Sequence, residues 1–446
     1  MKKILKECWP LVVVLIITTT TQIIYWHARP ELGNCYDCGE YQDLANFISR
    51  EPKNFISDLR PPLYPVFLIV MGLSSPNPQG DFNLYLTQSF ILGLTFIVLW
   101  FISKKVRIPA TLFLVSAILL AINPAFYSFT KFKLTETVNV FLLTLLVLTA
   151  LYLKNKPSFK KVTIYASLAT ILTFTRFANS YLGFVVLIIT ALHFGKKSLT
   201  NKRYLAIWVV GLILMAVPQV IYSKANEHRN YYYGLTGETG TNLLGKLIQY
   251  QLIPKTDPNY QKIINGVLGC KGALATTDVY TCVWNFLPKN SFVSKYSVSN
   301  MHVDDFDKKY ILRNLPTYLI KSAPIAFEAL SQPATAYLIL SQTNNSFFDI
   351  EIKATSIVYK ILILWLITIL PVYLILNIKR LLKMKLFPLV TVLIIGLYYL
   401  AITALAAIND YQRIVTPAIP FLFLMAPYTT YLVLKGFRLP KTKISK

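Results

Sequence analysis

Long runs of apolar residues recur along this chain, and they constrain its fold more than any other feature. The runs lie at 9–26, 84–102, 132–153, 204–222, 361–378 and 386–408. Each is about as long as the stretch of roughly 20 residues that crosses the hydrocarbon core of a bilayer. Hydrophobic residues make up 54% of the sequence, compared with about 45–50% in soluble domains. Because a soluble protein could not bury so many such runs, the sequence predicts an all-α polytopic membrane protein.

The basic residues indicate how the chain is oriented. Lys and Arg number 45 against 20 Asp and Glu, and short cytosolic loops carry such an excess. If the short stretch 61–73, which begins with two prolines, does not cross the membrane, every short basic segment falls on the cytosolic side. These residues are Lys2, Lys3, Lys6, Lys104, Lys105, Arg107, Lys154, Lys156, Lys160, Lys161, Lys196, Lys197, Lys202, Arg203, Lys379, Arg380, Lys383, Lys385 and the tail 435–446. We therefore expect about ten spans with both termini in the cytosol.

Two sizeable segments then face the non-cytosolic side. We expect an N-terminal membrane module at 1–222 with an outer first loop at 28–83, a mixed outer domain at 223–355, and a C-terminal membrane module with a basic tail at 356–446. Four cysteines, Cys35, Cys38, Cys270 and Cys282, lie on the outer side, where disulfides persist. Their pairing stays open between two local bridges and a bridge that joins the two segments. A bacterial plasma membrane, with a site facing outward, fits this short chain.

The first outer loop carries the first candidate site residues. Asp37, Glu40 and Tyr41 are spaced three and four apart, so a helix would place them on one face. A carboxylate there could accept the proton of an attacking hydroxyl or amine, although exposed loops often carry such charges. Arg60, followed by two prolines, would lie at headgroup depth, where a guanidinium binds phosphate well. Interfacial snorkelling of Arg60 is an equal alternative.

Three further charges lie at the ends of apolar spans. Glu136 begins an otherwise apolar run, where an ionisable group is a functional candidate by default and helix capping is the alternative. Arg176 and Arg413 fall at the outer face, against the trend that places basic residues inside. Binding of a lipid phosphate would explain both arginines, and pairing of Arg413 with Asp410 is the alternative.

Other motifs exclude several classes of protein. The sequence has no nucleotide-binding fingerprint, which argues against a nucleotide-driven pump. The four histidines show no ligand spacing, and Cys35-x-x-Cys38 has no second close Cys or His pair, which disfavours a zinc site. The net charge of +25 is explained by orientation in the membrane, and no nucleic-acid motif is present.

The ordered set of these charges resembles the C-type (GT-C) membrane glycosyltransferases, in particular bacterial members related to protein O-mannosyltransferases and aminoarabinose transferases (glycosyltransferase family 39). The resemblance covers about the first 200 residues and the region near the end. Its motifs are Asp37-x-x-x-Tyr41, Arg60-Pro61-Pro62-Leu63-Tyr64-Pro65, Thr135-Glu136-Thr137, Thr175-Arg176, and Arg413 with Pro417. Where the family often has a second acidic residue directly after the first, this chain has Cys38, so Glu40 is considered for part of that role.

The resemblance implies a polyprenyl-phosphate sugar donor and an inverting transfer to a lipid, glycan or protein acceptor. Asp37 is then the expected base, with Glu136 orienting Asp37 or the acceptor and Tyr41 contacting substrate. Arg60, Tyr64, Arg176 and Arg413 are the expected phosphate-binding residues. No metal-ligand cluster is expected, although family members differ in their use of a divalent metal.

Two other functions compete with this interpretation. A transporter or flippase for lipid-linked saccharides would place charges near the middle of its spans, whereas these charges lie at span ends. A polysaccharide polymerase or ligase would use Arg and His in the large outer segment, such as His228, Arg229 and Arg313.

Overall fold

The structure is a computed structural model that describes residues 2–28, 31–154, 157–195, 198, 200–258, 260–273, 279–286, 301–334, 346–382 and 386–436. Several residues of the orientation argument lie outside this part of the chain, namely Lys156, Lys196, Lys197, Lys383, Lys385 and the tail from 437. The described residues form helices joined by short turns, and an isolated β-bridge pairs Gly33 with Phe132.

The helices are numbered in chain order. They are α1 (Lys2–Ala28), α2 (Tyr36–Arg50), α3 (Leu63–Val70), α4 (Pro78–Val106), α5 (Ala110–Ala121), α6 (Pro124–Tyr127), α7 (Glu136–Leu153), α8 (Phe159–Thr175), α9 (Leu182–His193), α10 (Lys202–Asn230), α11 (Glu238–Gln249), α12 (Tyr260–Ala273), α13 (Val279–Phe286), α14 (Met301–Arg313), α15 (Leu315–Ala329), α16 (Ser346–Ile367), α17 (Ile369–Leu376), α18 (Ile378–Leu382), α19 (Phe387–Ala406), α20 (Tyr411–Val415) and α21 (Ile419–Leu434).

Seven helices in the described part of the chain are long and apolar enough to cross a membrane. The count becomes eight if α5 and the following stretch Pro124–Lys131, which meet at a bend of 72°, form one broken span. The polytopic all-α prediction is therefore confirmed. The expected ten would be reached only by adding α8, which has 17 residues, and the shorter apolar stretch Phe177–His193.

The stretch after the two prolines does not form a span. Helix α3 has 8 residues, or about 12 Å of rise, far less than the roughly 30 Å of a bilayer core. Pro61 and Pro62 disfavour helix in the residues before them, so α3 cannot continue backwards into a longer element. This agrees with the assumption on which the predicted orientation rests.

The large outer segment contains helices α11 to α15 in its described residues, with no strand among them, although we expected mixed structure. Helix α10 continues through the expected boundary at 222, and α16 continues through the one at 355. The structure pairs Cys35 with Cys38 and Cys270 with Cys282. Each disulfide is therefore local, and of the two alternatives the bridge between the outer segments is not formed.

Close packing at two glycines brings α8, α9 and α10 together. A Cβ atom on Gly183 of α9 would lie 2.7 Å from the Ala169 side chain of α8, and one on Gly211 of α10 would lie 2.7 Å from Val162 of α8. Between membrane helices the packing energy comes from such close contacts, because lipid tails are as apolar as the side chains they replace. Helix α7 lies between α4 and α8, so the turn after α8 is held close to the start of α7.

Candidate functional site

The predicted charged residues converge on one network of ion pairs. Arg60 lies at its centre, in the loop between α2 and α3. Its Nη2 is 2.7 Å from Asp37 Oδ1, its Nε is 2.6 Å from Glu40 Oε2, and its Nη1 is 3.4 Å from Glu238 Oε2. One guanidinium therefore joins two carboxylates of α2 to the first residue of α11.

The other two arginines continue the network. Arg413 Nη2 is 2.6 Å from Asp37 Oδ2, and its Nε is 2.8 Å from Asp410 Oδ2 and 3.7 Å from Glu136 Oε1. Arg176 Nη1 is 3.3 Å from the same Glu136 oxygen. Each oxygen of Asp37 thus contacts a different arginine, and Glu136 lies between Arg176 and Arg413.

The local structure explains how these side chains reach one another. Asp37 and Glu40 lie in the first turns of α2, whose N-cap is the Cys35 sulfur that accepts the backbone N–H of Cys38. The Cys35–Cys38 disulfide closes this turn around Asp37. An acidic residue in the first helical turn is favoured by the helix dipole, which also applies to Glu136 in α7.

A buried polar triangle fixes the turn that carries Arg176. The Asn179 amide donates to Asn139 Oδ1 at 2.8 Å, the Asn139 amide donates to the Tyr399 hydroxyl at 2.8 Å, and that hydroxyl donates to Asn179 Oδ1 at 2.5 Å. Asn139 lies three residues after Glu136, on the same side of α7. Each group in the triangle is satisfied, so the turn after α8 is held in register with α7 and α19.

The two predicted tyrosines form an aromatic layer below Arg60. The Tyr41 ring lies 5.5 Å from the guanidinium carbon of Arg60 and 5.2 Å from the Tyr64 ring. The Tyr64 hydroxyl donates to the Phe132 carbonyl oxygen at 3.4 Å, and the Tyr64 side chain is fully buried. Tyr64 therefore supports Tyr41 in this structure, and the hydroxyl that we expected to bind the donor phosphate donates to a backbone carbonyl oxygen.

The arginines determine the charge state of Asp37. Burial raises the pKa of the Asp37 carboxyl, but Arg413 and Arg60 outweigh burial and hold this pKa below its ordinary value. The pKa of Arg60 is raised well above its ordinary value, since Glu238 and Asp37 outweigh the effect of burial. Asp37 is thus ionised at neutral pH, but it is a weak proton acceptor while both arginines hold it.

Glu238 differs from Asp37 in the direction of its shift. Burial raises the pKa of the Glu238 carboxyl, and Arg60 offsets that effect only in part, because Asp37 and Glu40 repel the charged form. The contacts described above join three guanidiniums with five carboxylates. When all of them are ionised, the formal charge of this network is −2.

Sequence reasoning missed one member of the network and underrated another. Glu238 belongs to the stretch Gly-Leu-Thr-Gly-Glu-Thr-Gly, which predicts only a turn. From the sequence, Asp410 is only a possible ion-pair partner of Arg413, as the alternative to phosphate binding by this arginine. Its backbone φ of 52° lies in the left-handed region, which is uncommon outside glycine and often marks a constrained site.

The residues favoured by the polymerase alternative do not form a comparable site. The Arg229 guanidinium donates to the Lys53 carbonyl oxygen and to the Asn54 side chain. His228 and Arg313 are exposed and lie on different helices, α10 and α14. A groove of about 350 Å³ between α1 and α4 is lined by residues such as Gln22, Trp26 and Tyr85. No residue of the ion-pair network lines this groove.

The carboxylates do not fit a metal site in the part of the chain that the structure describes. No group of three or more His, Cys, Asp or Glu residues there is arranged to hold a metal ion. Asp37, Glu40 and Glu136 instead each contact a guanidinium. We therefore derive no step through a metal.

No protein-family profile and no curated protein matches the sequence. A solved structure of the archaeal oligosaccharyltransferase AglB from Archaeoglobus fulgidus, in complex with an inhibitory peptide and a dolichol-phosphate, is similar with a TM-score of 0.49 at 13% identity. The similarity covers 97% of this chain and 52% of that protein, so this chain spans about half its length. A likeness at this level does not assign the chain to a family.

Proposed function

We propose that this protein is a membrane glycosyltransferase of the GT-C type, which transfers a sugar from a polyprenyl-phosphate donor to an acceptor on the non-cytosolic face. The observation that carries the proposal is the convergence of Asp37, Arg60, Glu136, Arg176 and Arg413. These residues come from distant parts of the sequence, and the sequence pattern alone singles out each of them. Three guanidiniums in one network are also well suited to a phosphate group.

The donor phosphate would compete with carboxylates for the arginines. In the present structure Arg60 and Arg413 each contact one oxygen of Asp37. A phosphate oxygen that takes over either guanidinium removes a cation from Asp37. The pKa of Asp37 then rises, because burial remains while its compensating charge is lost. Donor binding would in this way convert a weak base into a stronger one.

The transfer step follows from this arrangement. An acceptor hydroxyl or amine attacks the anomeric carbon from the face opposite the phosphate, which inverts its configuration. The bond between that carbon and the phosphate oxygen breaks, and its electron pair stays on the phosphate. Asp37 takes the acceptor proton, and the arginines stabilise the charge that develops on the leaving phosphate. The products are a polyprenyl phosphate and the glycosylated acceptor.

Glu136 would act through its neighbours. It contacts Arg176 and Arg413, and Arg413 in turn contacts Asp37. We therefore assign Glu136 a positioning role, in which it fixes the guanidinium that orients the base. Glu40 competes with the donor for Arg60, since its carboxylate lies 2.6 Å from Arg60 Nε.

The test is transfer of radiolabelled sugar from a panel of polyprenyl-phosphate sugars in purified membranes. Wild type is compared with Asp37→Asn and with Asp43→Asn, a matched control because Asp43 is an exposed residue of the same helix. We expect Asp37→Asn to lose transfer by about 10²–10⁴-fold, and Asp43→Asn to retain it. An Asp37→Asn protein with normal transfer contradicts the assignment of the base. If correctly inserted wild type transfers from no donor, a transporter or a polymerase becomes the better interpretation.

A further inference from the structure

The contact between Arg60 and Glu238 ties the large outer segment to the site. It is reinforced by two hydrogen bonds between the segments, since the Gly237 N–H donates to the Asp58 carbonyl oxygen at 2.8 Å and the Thr236 hydroxyl donates to the Leu59 carbonyl oxygen at 3.1 Å. The start of α11 is therefore docked on the loop that carries Arg60. The expected catalytic chemistry gives Glu238 no role, although the residue directly contacts the central guanidinium.

The negative charge of the network opposes binding of a negatively charged donor phosphate. For the eight groups that these contacts join among the described residues, all ionised, the formal charge is −2, and a phosphodiester brings one more negative charge. Bringing like charges together in a partly buried site is costly. A carboxylate that takes up a proton or moves away when a phosphate arrives lowers this cost.

Glu238 is the carboxylate best placed to leave Arg60. Its 3.4 Å contact is the longest of the three that Arg60 makes, compared with 2.6 Å to Glu40 and 2.7 Å to Asp37. Asp37 and Glu40 both belong to α2, whereas Glu238 lies on the separate helix α11. Its movement would leave the first outer loop in place.

We infer that Glu238 is a positioning residue that occupies Arg60 while the donor is absent and gives up this guanidinium to the incoming lipid phosphate. This inference rests on the proposed function, because it takes a polyprenyl phosphate as the ligand of Arg60. Withdrawal of Glu238 loosens the start of α11 from the loop at 58–60. Donor binding is thereby coupled to the outer segment, which is the part of the chain available to select an acceptor.

The charged groups around Glu238 determine how the effect depends on pH. Among the described residues, those with the largest influence on Glu238 are Arg60 from the loop, Asp37 and Glu40 from α2, and Arg413 from α20. Because the pKa of Glu238 is raised, its charge is lost at a higher pH than that of an ordinary glutamate. Competition with phosphate is therefore strongest at high pH and weakens as the pH falls through this pKa.

Binding of farnesyl phosphate, a short polyprenyl phosphate, tests the inference on purified full-length protein in lipid nanodiscs. The variants are Glu238→Gln and, as a matched control, Glu51→Gln, whose side chain is 56% exposed and pairs with Lys53. At pH 8 we expect Glu238→Gln to bind about three- to tenfold more tightly than wild type, with Glu51→Gln unchanged. The advantage should shrink as the pH is lowered, because wild-type Glu238 then takes up a proton more readily than an ordinary glutamate does.

A second measurement separates this role from a purely structural one. Saturating farnesyl phosphate should increase hydrogen exchange of the Gly237 amide in wild type, because release of Arg60 by Glu238 loosens the hydrogen bond from this amide to the Asp58 carbonyl oxygen. Equal affinities of wild type and Glu238→Gln at pH 8, or unchanged exchange at Gly237 at saturation, overturn the inference and leave the proposed function intact. If wild type does not bind farnesyl phosphate, the proposed function fails and the inference fails with it.

Discussion

Asp37 and Asp307 are both carboxylic acids in the interior of the molecule, but their surroundings give them opposite character. Arg60 and Arg413 contact Asp37 and hold its pKa below the ordinary value despite burial. Asp307, in α14, is fully buried, and among the described residues neither of its carboxylate oxygens has a hydrogen-bond partner. Burial raises its pKa well above the ordinary value, and the nearby Asp304 adds to this effect. The difference shows that placement of cations decides which buried acid stays charged.

The comparison also explains why we propose a catalytic role for the region around Asp37 and none for the region around Asp307. A carboxylate must be ionised to accept a proton, and a phosphate leaving group needs cations close to it. The network around Asp37 provides both conditions. For Asp304 and Asp307, by contrast, burial outweighs Lys308, the cation that acts on both of their pKa values, so both pKa values lie above the ordinary value.

Removal of Arg413 should produce the largest effect, on the pKa of Asp37 and on the donor KM. In Arg413→Ala, Asp37 loses one of its two cations and becomes more like Asp307, so its pKa rises. We expect the donor KM to rise by about 10- to 100-fold. Because the base must be ionised, the acid limb of the pH profile of kcat/KM should also move to higher pH.

The control for this prediction is Arg413→Lys, which keeps the positive charge but not the guanidinium fork. It should leave the acid limb close to its wild-type position while it weakens donor binding. An acid limb in Arg413→Ala that coincides with wild type would contradict the view that Arg413 sets the charge state of Asp37.

For the acidic pair Asp304 and Asp307 of α14 we expect a smaller effect, on the stability of the folded protein. Burial raises the pKa of Asp304 to about 6 from 3.8. For an acid with a raised pKa, the folded state binds the proton more tightly, so its stabilising contribution is present below pH 3.8 and is lost as the pH rises through about 6. Asp304→Asn has no such loss. Relative to wild type it should therefore gain about 1–2 kcal/mol, or about 2–4 °C in Tm, between pH 4.5 and pH 7.5.

Thermal unfolding of the purified protein at the two pH values measures this difference. Asp305→Asn is the matched control, because Asp305 is the adjacent residue and its side chain is 71% exposed. A Tm difference between Asp304→Asn and wild type that does not change with pH would show that Asp304 is not buried with a raised pKa.

The smallest effect is expected at the aromatic layer. Burial raises the pKa of the Tyr41 hydroxyl to about 12, so this group stays protonated and its ring provides the contact with Arg60. Tyr41→Phe keeps the ring and should change kcat/KM by less than about threefold, whereas Tyr41→Ala removes it and costs about 1 kcal/mol of donor binding or more. A large loss in Tyr41→Phe would assign the hydroxyl a direct role with substrate.

The sequence was sufficient to identify most of the charged residues of the site. Asp37 stands out by its spacing from Glu40 and Tyr41 in the first outer loop, and Arg60 by the two prolines that follow it. Glu136, Arg176 and Arg413 stand out because each lies at the end of an apolar span, where a charge is costly. The predicted orientation places all five residues on one side of the membrane, which is what their convergence requires. The predicted polytopic helical fold depended on the same apolar runs and is confirmed.

The parts that were not predicted depend on contacts between distant segments. Glu238 reaches Arg60 because the Gly237 N–H and the Thr236 hydroxyl donate hydrogen bonds to backbone carbonyl oxygens of residues 58–59. No local sequence pattern predicts such docking. The direction of the Tyr64 hydroxyl depends on the Phe132 carbonyl oxygen in another turn. The number of spans could not be read from the sequence, because hydropathy measures composition and does not detect the bend after α5. The short apolar helices added to the uncertainty in the count.

The contact between Asp37 and Arg413 also has a consequence for how the protein is made. A ribosome produces the first outer loop well before the segment with Arg413, because Asp37 precedes Arg413 by most of the described sequence. Until then Asp37 has Arg60 but lacks its second cation. A chain released before α20 cannot complete the charge balance around Asp37. On the proposed mechanism, the proton acceptor is therefore complete only in chains whose segment with Arg413 has been inserted and packed against the first outer loop.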